Sequence, residues 1–163
     1  LRKKLLLLDK DGTLIQNIGR PPHLNEVVLL PGVPQALKRL RALDYSLVIV
    51  TNQAAIGRGE YTEEALRQQV KKIREMLWAE GAEIDRIYHC PHKPSDRCPC
   101  RKPLGGMLVQ AIADAGYPLK KHCKMVGDNW TDIAAARAAG IKGYQIEQNS
   151  GGLFDLVERE VFK

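Results

Sequence analysis

The stretch Leu5-Leu6-Leu7-Leu8-Asp9-Lys10-Asp11-Gly12-Thr13 limits the possible folds more than any other part of the chain. Four consecutive leucines leave no alternating polar face. Such a strand is buried on both sides, as in a parallel sheet covered by helices. Two carboxylates follow at i and i+2, where the apolar run stops, and Gly12 lets the backbone turn sharply. Open α/β sheets bind ligands beyond the carboxyl ends of their strands. Asp-Gly is also a common turn pair, so the other strand ends must decide whether these acids do chemistry.

The remaining elements follow the same pattern. Residues 14–30, with Gly19, Pro21 and Pro22, read as a loop or short irregular hairpin lying over the acidic pair. A helix opens at Pro31-Gly32-Val33-Pro34, with Val33, Ala36, Leu37, Leu40 and Leu43 on one face. Ser46 to Val50 is a second buried strand ending in Thr51-Asn52-Gln53, and Ala54 to Tyr61 reads as a glycine-bearing loop. Thr62 caps a helix that runs to about Glu80 and is closed by Gly81. Ile84 to His89 is a less apolar strand, suited to a sheet edge. A helix over Leu104–Ala115 ends at Gly116 and Pro118. Cys123 to Val126 is a strand that runs into Gly127-Asp128-Asn129-Trp130-Thr131-Asp132. An alanine-rich helix over Ile133–Ala139, a strand over Lys142–Ile146 and a helix over Gly152–Val161 complete the chain. Alternation of this kind predicts an α/β fold, a mostly parallel sheet with helices on both faces. In that sheet Asp9/Asp11, Thr51/Asn52 and Asp128/Asp132 lie along one edge.

Three acids converging with a threonine and a lysine suit Mg²⁺, which takes oxygen ligands and keeps waters. Asp132 is equally well placed to cap the helix that follows it. Cys90-Pro91-His92, five residues, then Cys98-Pro99-Cys100 supply three thiolates and an imidazole. That is the ligand set of a closed structural Zn²⁺ site, in a loop over residues 90–103. The spacing is not that of a DNA-reading C2H2 finger. Cys123 is left over as a core thiol. The metal loop runs directly into Arg101-Lys102-Pro103, so ordering it would bring both cations to the acids.

With 163 residues the chain is expected to form a single domain over 1–163. No apolar run is long enough to span a bilayer. Four leucines after Arg2-Lys3-Lys4 are too few for a signal peptide, so a cytoplasmic protein with no membrane partner is expected. The net charge of +6 is scattered along helical patterns, with no basic arm and no aromatic RNA-binding motif. It fits a small anionic substrate better than nucleic acid.

Asp9-Lys10-Asp11-Gly12-Thr13, Thr51, Lys102 and Gly127 to Asp132 resemble, in order, the four motifs of the haloacid dehalogenase (HAD) superfamily of phosphatases. The resemblance implies a Rossmann-like fold and Mg²⁺-dependent phosphoryl transfer through an aspartyl phosphate. It implies that Asp9 is the nucleophile and Asp11 the general acid and base. Mg²⁺ would be held by Asp9, Asp128 and the backbone carbonyl of Asp11, with Thr51 and Lys102 on the phosphate oxygens. The gaps Thr13–Pro31 and Gln53–Lys102 are too short for the cap domain that many HAD enzymes carry. Specificity would then come from loops, with Asn17, Arg20, Asn52, Gln53, Arg101 and Lys102 as candidate substrate-binding residues. The Cys-Pro-His…Cys-x-Cys-Arg-Lys-Pro run is similar to that of two HAD groups, the D-glycero-D-manno-heptose 1,7-bisphosphate phosphatases and the histidinol-phosphate phosphatases. Thr51-Asn52-Gln53, Ile56 to Thr62 and Gly106-Met107-Leu108 resemble the heptose group; the five-residue spacer between the zinc ligands resembles the histidinol group. The heptose resemblance is the closer one. It implies release of the 7-phosphate from a sugar bisphosphate in lipopolysaccharide precursor synthesis by a monomer. Lys10 stands where that group usually has Arg, and Ala54-Ala55 where it has Ser-Gly. An alternative of a different class is a non-catalytic, zinc-stabilised binding module.

Overall fold

A computed structural model describes residues 4–116 and 120–163. Pro118, and Arg2 and Lys3 of the first basic cluster, lie outside the described residues. Five parallel strands form one sheet in the order β3-β2-β1-β4-β5. They are β1 (Lys4–Leu8), β2 (Tyr45–Asn52), β3 (Arg86–Cys90), β4 (Cys123–Gly127) and β5 (Lys142–Gln145). The helices are α1 (Val33–Ala42), α2 (Ala54–Gly57), α3 (Glu63–Ala79), α4 (Gly106–Ala115), α5 (Trp130–Ala138) and α6 (Gly152–Glu158).

The leucine run occupies the centre of the sheet, and all four side chains are fully buried. Successive side chains of a strand point to opposite faces. Leu6 and Leu8 therefore join a cluster with Val33, Leu37 and Leu40 of α1, Ile73 and Leu77 of α3, and Leu153 and Val157 of α6. Leu5 and Leu7 join the other, with Met107, Leu108 and Ala111 of α4 and Ala135 and Ala136 of α5. The alanines of α5 let that helix lie close to the sheet. This is the expected Rossmann-like arrangement, with helices on both faces. Among the described residues, neither expected insertion point holds a cap domain. Residues 14–32 carry one short 3₁₀ turn, Leu24–Glu26, and two isolated bridges, Asp11 with Ile15 and Ile15 with Leu29.

Several boundaries differ from the sequence expectation for local reasons. Strand β3 starts at Arg86, because the Asp85 carboxylate accepts a hydrogen bond from the Leu47 amide at 2.7 Å, ahead of the ladder. Residues 54–57, expected as loop, form the single helical turn α2. Helix α4 starts at Gly106 and α6 stops at Glu158. Helix α5 starts three residues early, at Trp130, because Asn129 and Asp132 form a capping box. The caps of α3 follow the sequence. Thr62 Oγ1 accepts from the Ala65 amide at 2.9 Å. Gly81, at φ +76°, closes a Schellman turn with the Gly81 and Ala82 amides on the Trp78 and Leu77 carbonyls. Among the described residues, no helix is long and apolar enough to cross a membrane.

The amino ends of the strands are sealed by the C-terminal tail. Phe162 is fully buried and meets Tyr45 edge-on, with ring centroids 5.8 Å apart. The Tyr45 hydroxyl donates to the Phe162 carbonyl at 3.2 Å. Phe162→Ala should lower the unfolding free energy by about 3–5 kcal/mol, read from urea denaturation. A loss under about 1 kcal/mol would show that the tail is not part of the core.

Candidate active site

The strand order turns back between β1 and β4, which is where an open α/β sheet leaves a crevice at its carboxyl edge. Asp9 follows β1, and its amide donates to the Val126 carbonyl of β4 at 3.0 Å. Asp128 follows β4. Gly12, at φ +87°, brings the chain past Asp128 so closely that a Cβ there would strike the Asp128 carboxylate. Thr13 Oγ1 donates to Asp128 Oδ1 at 3.3 Å. Thr51 and Asn52 end β2 beside them.

Lys102 reaches into this edge from the loop after β3 and is 3% exposed. Its ammonium donates to Asp9 Oδ1 at 2.8 Å, Asp132 Oδ1 at 2.6 Å and the Val50 carbonyl at 2.9 Å. Burial alone would lower the Lys102 pKa, but Asp9 and Asp132 together hold it raised. Asn52 fixes the Lys102 backbone on both sides. Its Nδ2 donates to the Lys102 carbonyl at 2.9 Å, and its Oδ1 accepts from the Lys102 amide at 3.0 Å. Asn52 thus supports the lysine, while also lining the cleft. Asp132 does both things open to it in the sequence. Oδ2 caps α5 by accepting from the Asn129 amide at 3.0 Å, and Oδ1 holds Lys102.

Carboxylate oxygens of Asp9, Asp128 and Asp132 lie within 4.8 Å of one another. Two of the three share the Lys102 ammonium, and Asp128 stands beside them without a cation of its own among the described residues. Burial, with Asp9 and then Asp132 nearby, pushes the Asp128 carboxyl up to about 7. Burial likewise raises Asp132, against the pull of Lys102. This excess of buried negative charge and oxygen donors fits a hard divalent cation. The side chain of Asp11 is not part of that trio. Its Oδ1 accepts from Lys10 at 3.0 Å and its Oδ2 from Gln53 Nε2 at 3.2 Å.

The cleft above these groups measures about 360 Å³. Asp9, Asp11, Asn17, Arg20, Thr51, Gln53, Arg101, Lys102 and Asp128 all line it, so the structure brings the predicted residues together. Their engagements differ. The Arg20 guanidinium is paired bidentately with Glu26 at 2.7 and 2.8 Å, at the rim. Asn17 Oδ1 accepts from the Gly19 amide at 2.9 Å and shapes its own loop. The Asn17 backbone is tied to Asn149 by two bonds of 2.8 and 3.0 Å, joining the loops after β1 and β5. Arg101 Nη1 reaches the His92 carbonyl at 3.4 Å. Arg58 and Gln148 also line the cleft, beyond the residues expected from the sequence. Arg58 sits in the glycine-bearing stretch Ile56 to Thr62, whose residues resemble the heptose group. Gln148 follows the last strand and carries no sequence signal.

The second metal-ligating cluster lies in the loop after β3. Cys90 Sγ stands 3.5 Å from Cys98 Sγ, 3.1 Å from Cys100 Sγ and 3.5 Å from His92 Nδ1, which is 3.3 Å from Cys100 Sγ. Around a tetrahedral ion with bonds of about 2.0–2.3 Å, ligand atoms stand about 3.3–3.8 Å apart. Three of these distances fall in that range and the Cys90–Cys100 separation is slightly below it, so the cluster has about the size of a closed four-coordinate site, with Nδ1 of His92 turned to the thiols.

Comparison with known proteins agrees with this geometry. The family described as haloacid dehalogenase-like hydrolase matches residues 22–140. A D-glycero-beta-D-manno-heptose-1,7-bisphosphate 7-phosphatase of Haemophilus ducreyi is 39% identical, over 86% of this chain and 80% of its own length. The enzyme of the same name from Pseudomonas aeruginosa is 33% identical, over 93% and 85%. The crystal structure of D,D-heptose 1,7-bisphosphate phosphatase from B. bronchiseptica, complexed with magnesium and phosphate, superposes with a TM-score of 0.84 at 33% identity. It covers 95% of this chain and 86% of that one. With the motifs in order, the sheet topology and these relatives in agreement, the chain belongs to the haloacid dehalogenase-like hydrolases.

Proposed function

We propose that this chain is a Mg²⁺-dependent phosphatase that removes the 7-phosphate of D-glycero-β-D-manno-heptose 1,7-bisphosphate. The observation that carries the chemistry is the buried Lys102 ammonium shared by Asp9 and Asp132, with Asp128 alongside and Asp11 across the cleft. The substrate is supported by the relatives named for it. Asp9 is the nucleophile. Lys102 holds Asp9 Oδ1, which leaves the other oxygen to attack phosphorus in line. Asp11 protonates the leaving oxygen and then deprotonates the water that frees phosphate. Thr51, whose hydroxyl accepts from Gln53 Nε2 at 2.9 Å, and Lys102 receive the equatorial oxygens. Asp9, Asp128 and the Asp11 carbonyl would hold Mg²⁺, which when bound offsets repulsion between the Asp9 carboxylate and the phosphate dianion. Arg101, Arg20, Asn17, Asn52 and Gln53 line the side available to the rest of the sugar. We also read the whole chain as one catalytic domain, because both metal clusters and the cleft are built on one sheet, and, from the sequence reading alone, as a cytoplasmic monomer. Release of the 7-phosphate would serve lipopolysaccharide precursor synthesis, as the resemblance implies.

Asp9→Asn should abolish turnover, by at least about 10³-fold. Retained Mg²⁺-dependent release of phosphate would remove Asp9 from its role. The substrate reading is tested by kcat/KM for the heptose bisphosphate, histidinol phosphate and fructose 1,6-bisphosphate. The first should lead by about 10²-fold, since one hydrogen bond to a charged group contributes about 1.5–3 kcal/mol. Near-equal values would leave phosphatase chemistry without the named substrate.

For the loop cluster we propose a structural Zn²⁺ on Cys90, His92, Cys98 and Cys100. The loop has little regular structure beyond one 3₁₀ turn, Pro94–Asp96, and it delivers Arg101 and Lys102. Metal analysis should find one zinc per chain, at the stoichiometry of a single tetrahedral site. Cys98→Ser should lose the zinc, lower the melting temperature and reduce kcat. A variant that loses zinc with its melting temperature unchanged would show that the ion supports nothing.

A further inference from the structure

Lys10 sits between the two acids of the first motif, yet its side chain runs away from the cleft. It is 1% exposed. Its ammonium donates to Asp11 Oδ1 at 3.0 Å and to Gln69 Oε1 of α3. Gln69 is itself 1% exposed and interrupts an apolar helix face formed by Leu66, Ile73 and Leu77. Its Nε2 has no partner among the described residues. Burying an ammonium and an amide is costly. A methionine and a leucine would occupy the same space without that cost. Gln69 meets the Lys10 ammonium, and the ammonium in turn meets the Asp11 carboxylate, which remains 27% exposed at the cleft. Gln53 Nε2 approaches the other oxygen, Oδ2, at 3.2 Å and bonds Thr51 Oγ1 as well.

We propose that Lys10, backed by Gln69, is a positioning residue that holds Asp11 by Oδ1 and leaves Oδ2 as the oxygen that exchanges the proton. The inference rests on the reading of Asp11 as general acid and base. The charged Lys10 donor holds Oδ1 as an acceptor at 3.0 Å, whereas Oδ2 meets only the neutral, longer Gln53 contact at 3.2 Å, so Oδ2 is the oxygen left to carry the acid proton. That oxygen lies on the side of Thr51, because Gln53 Nε2 bonds both. In the first step an Asp9 oxygen bonds to phosphorus, the bond from phosphorus to the leaving oxygen breaks, and the Oδ2 proton passes to that oxygen. In the second, Oδ2 takes a proton from water as the water oxygen bonds to phosphorus and the Asp9–phosphorus bond breaks. Nothing is oxidised or reduced, and Lys10 takes no part in the transfer.

The test uses leaving groups that differ in their need for an acid. A sugar alkoxide needs a proton; p-nitrophenolate leaves without one. We would measure kcat/KM, which reports the steps up to phosphorylation of Asp9, on the heptose bisphosphate and on p-nitrophenyl phosphate. The proteins are the wild type, Asp11→Asn, Lys10→Met, Lys10→Arg and Gln69→Leu. For Lys10→Met the expected loss is about 10²-fold on the sugar phosphate and under about 3-fold on the nitrophenyl ester, the pattern of a misplaced general acid. Asp11→Asn should show the same selectivity more strongly, and Lys10→Arg should recover most of the sugar activity. An equal loss on both substrates would make Lys10 merely structural, and no loss on either would make it dispensable; each overturns the proposal. If Asp11→Asn shows no selectivity, the acid reading itself fails, and the inference fails with it. Should Lys10→Met not fold, by circular dichroism, Gln69→Leu carries the same comparison. It should show a smaller loss with the same selectivity, and an unselective loss would again overturn the proposal.

Discussion

The site depends on one buried ammonium. Lys102 joins the end of β1 through Asp9, the end of β2 through the Val50 carbonyl, and the first turn of α5 through Asp132. Taking these charges out of water costs several kcal/mol for each ion, and their mutual attraction offsets that cost only when the geometry is good. The arrangement therefore contributes little as a source of stability. Its effect is orientational: one cation holds two acids from different elements at fixed positions. A third acid, Asp128, is added to the same pocket, where burial and its acidic neighbours push its carboxyl up to about 7, so three acids stand against one buried cation. The imbalance is what suits it to a divalent ion.

Support for that lysine comes from the end of β2. Lys102 lies in a loop with only a short 3₁₀ turn ahead of it, and Asn52 grips its backbone by both the amide and the carbonyl. The soft cluster of three cysteines and a histidine lies just upstream, away from the hard carboxylate cluster. Soft and hard donors select different ions, so two metals can be held without exchanging places. Asp132 shows the same economy. One oxygen caps α5 and the other holds Lys102, so folding of the helix and assembly of the site are coupled through a single carboxylate.

Much of the fold was legible because its signals are local. The leucine run, the Thr62 cap and the Gly81 turn follow from residue type and spacing alone. Element ends were less legible. The Asp85 carboxylate delays β3, and the Asn129–Asp132 capping box starts α5 early; both are side-chain effects that hydrophobic periodicity does not see. In the site, the acids and the metal-loop cysteines were readable from their types and positions. The Arg20–Glu26 pairing, the support of Lys102 by Asn52 and the presence of Gln148 in the cleft were not. Each depends on the path of a loop in space.

By itself, the sequence determined which chemistry was available: two acids after a buried strand, a lysine after a four-ligand loop, and Gly-Asp after a later strand. Order along the chain sufficed because parallel strands place all their carboxyl ends on one edge. Only the tertiary structure decided how these groups divide the work. Asp9 and Asp132 face the same ammonium, whereas Asp11 turns to Lys10 and Gln53. Partner choice of this kind depends on side-chain directions and on burial across distant elements. Gln69 of α3 lies beneath the first motif only because both pack on one face of the sheet, 59 residues apart in sequence.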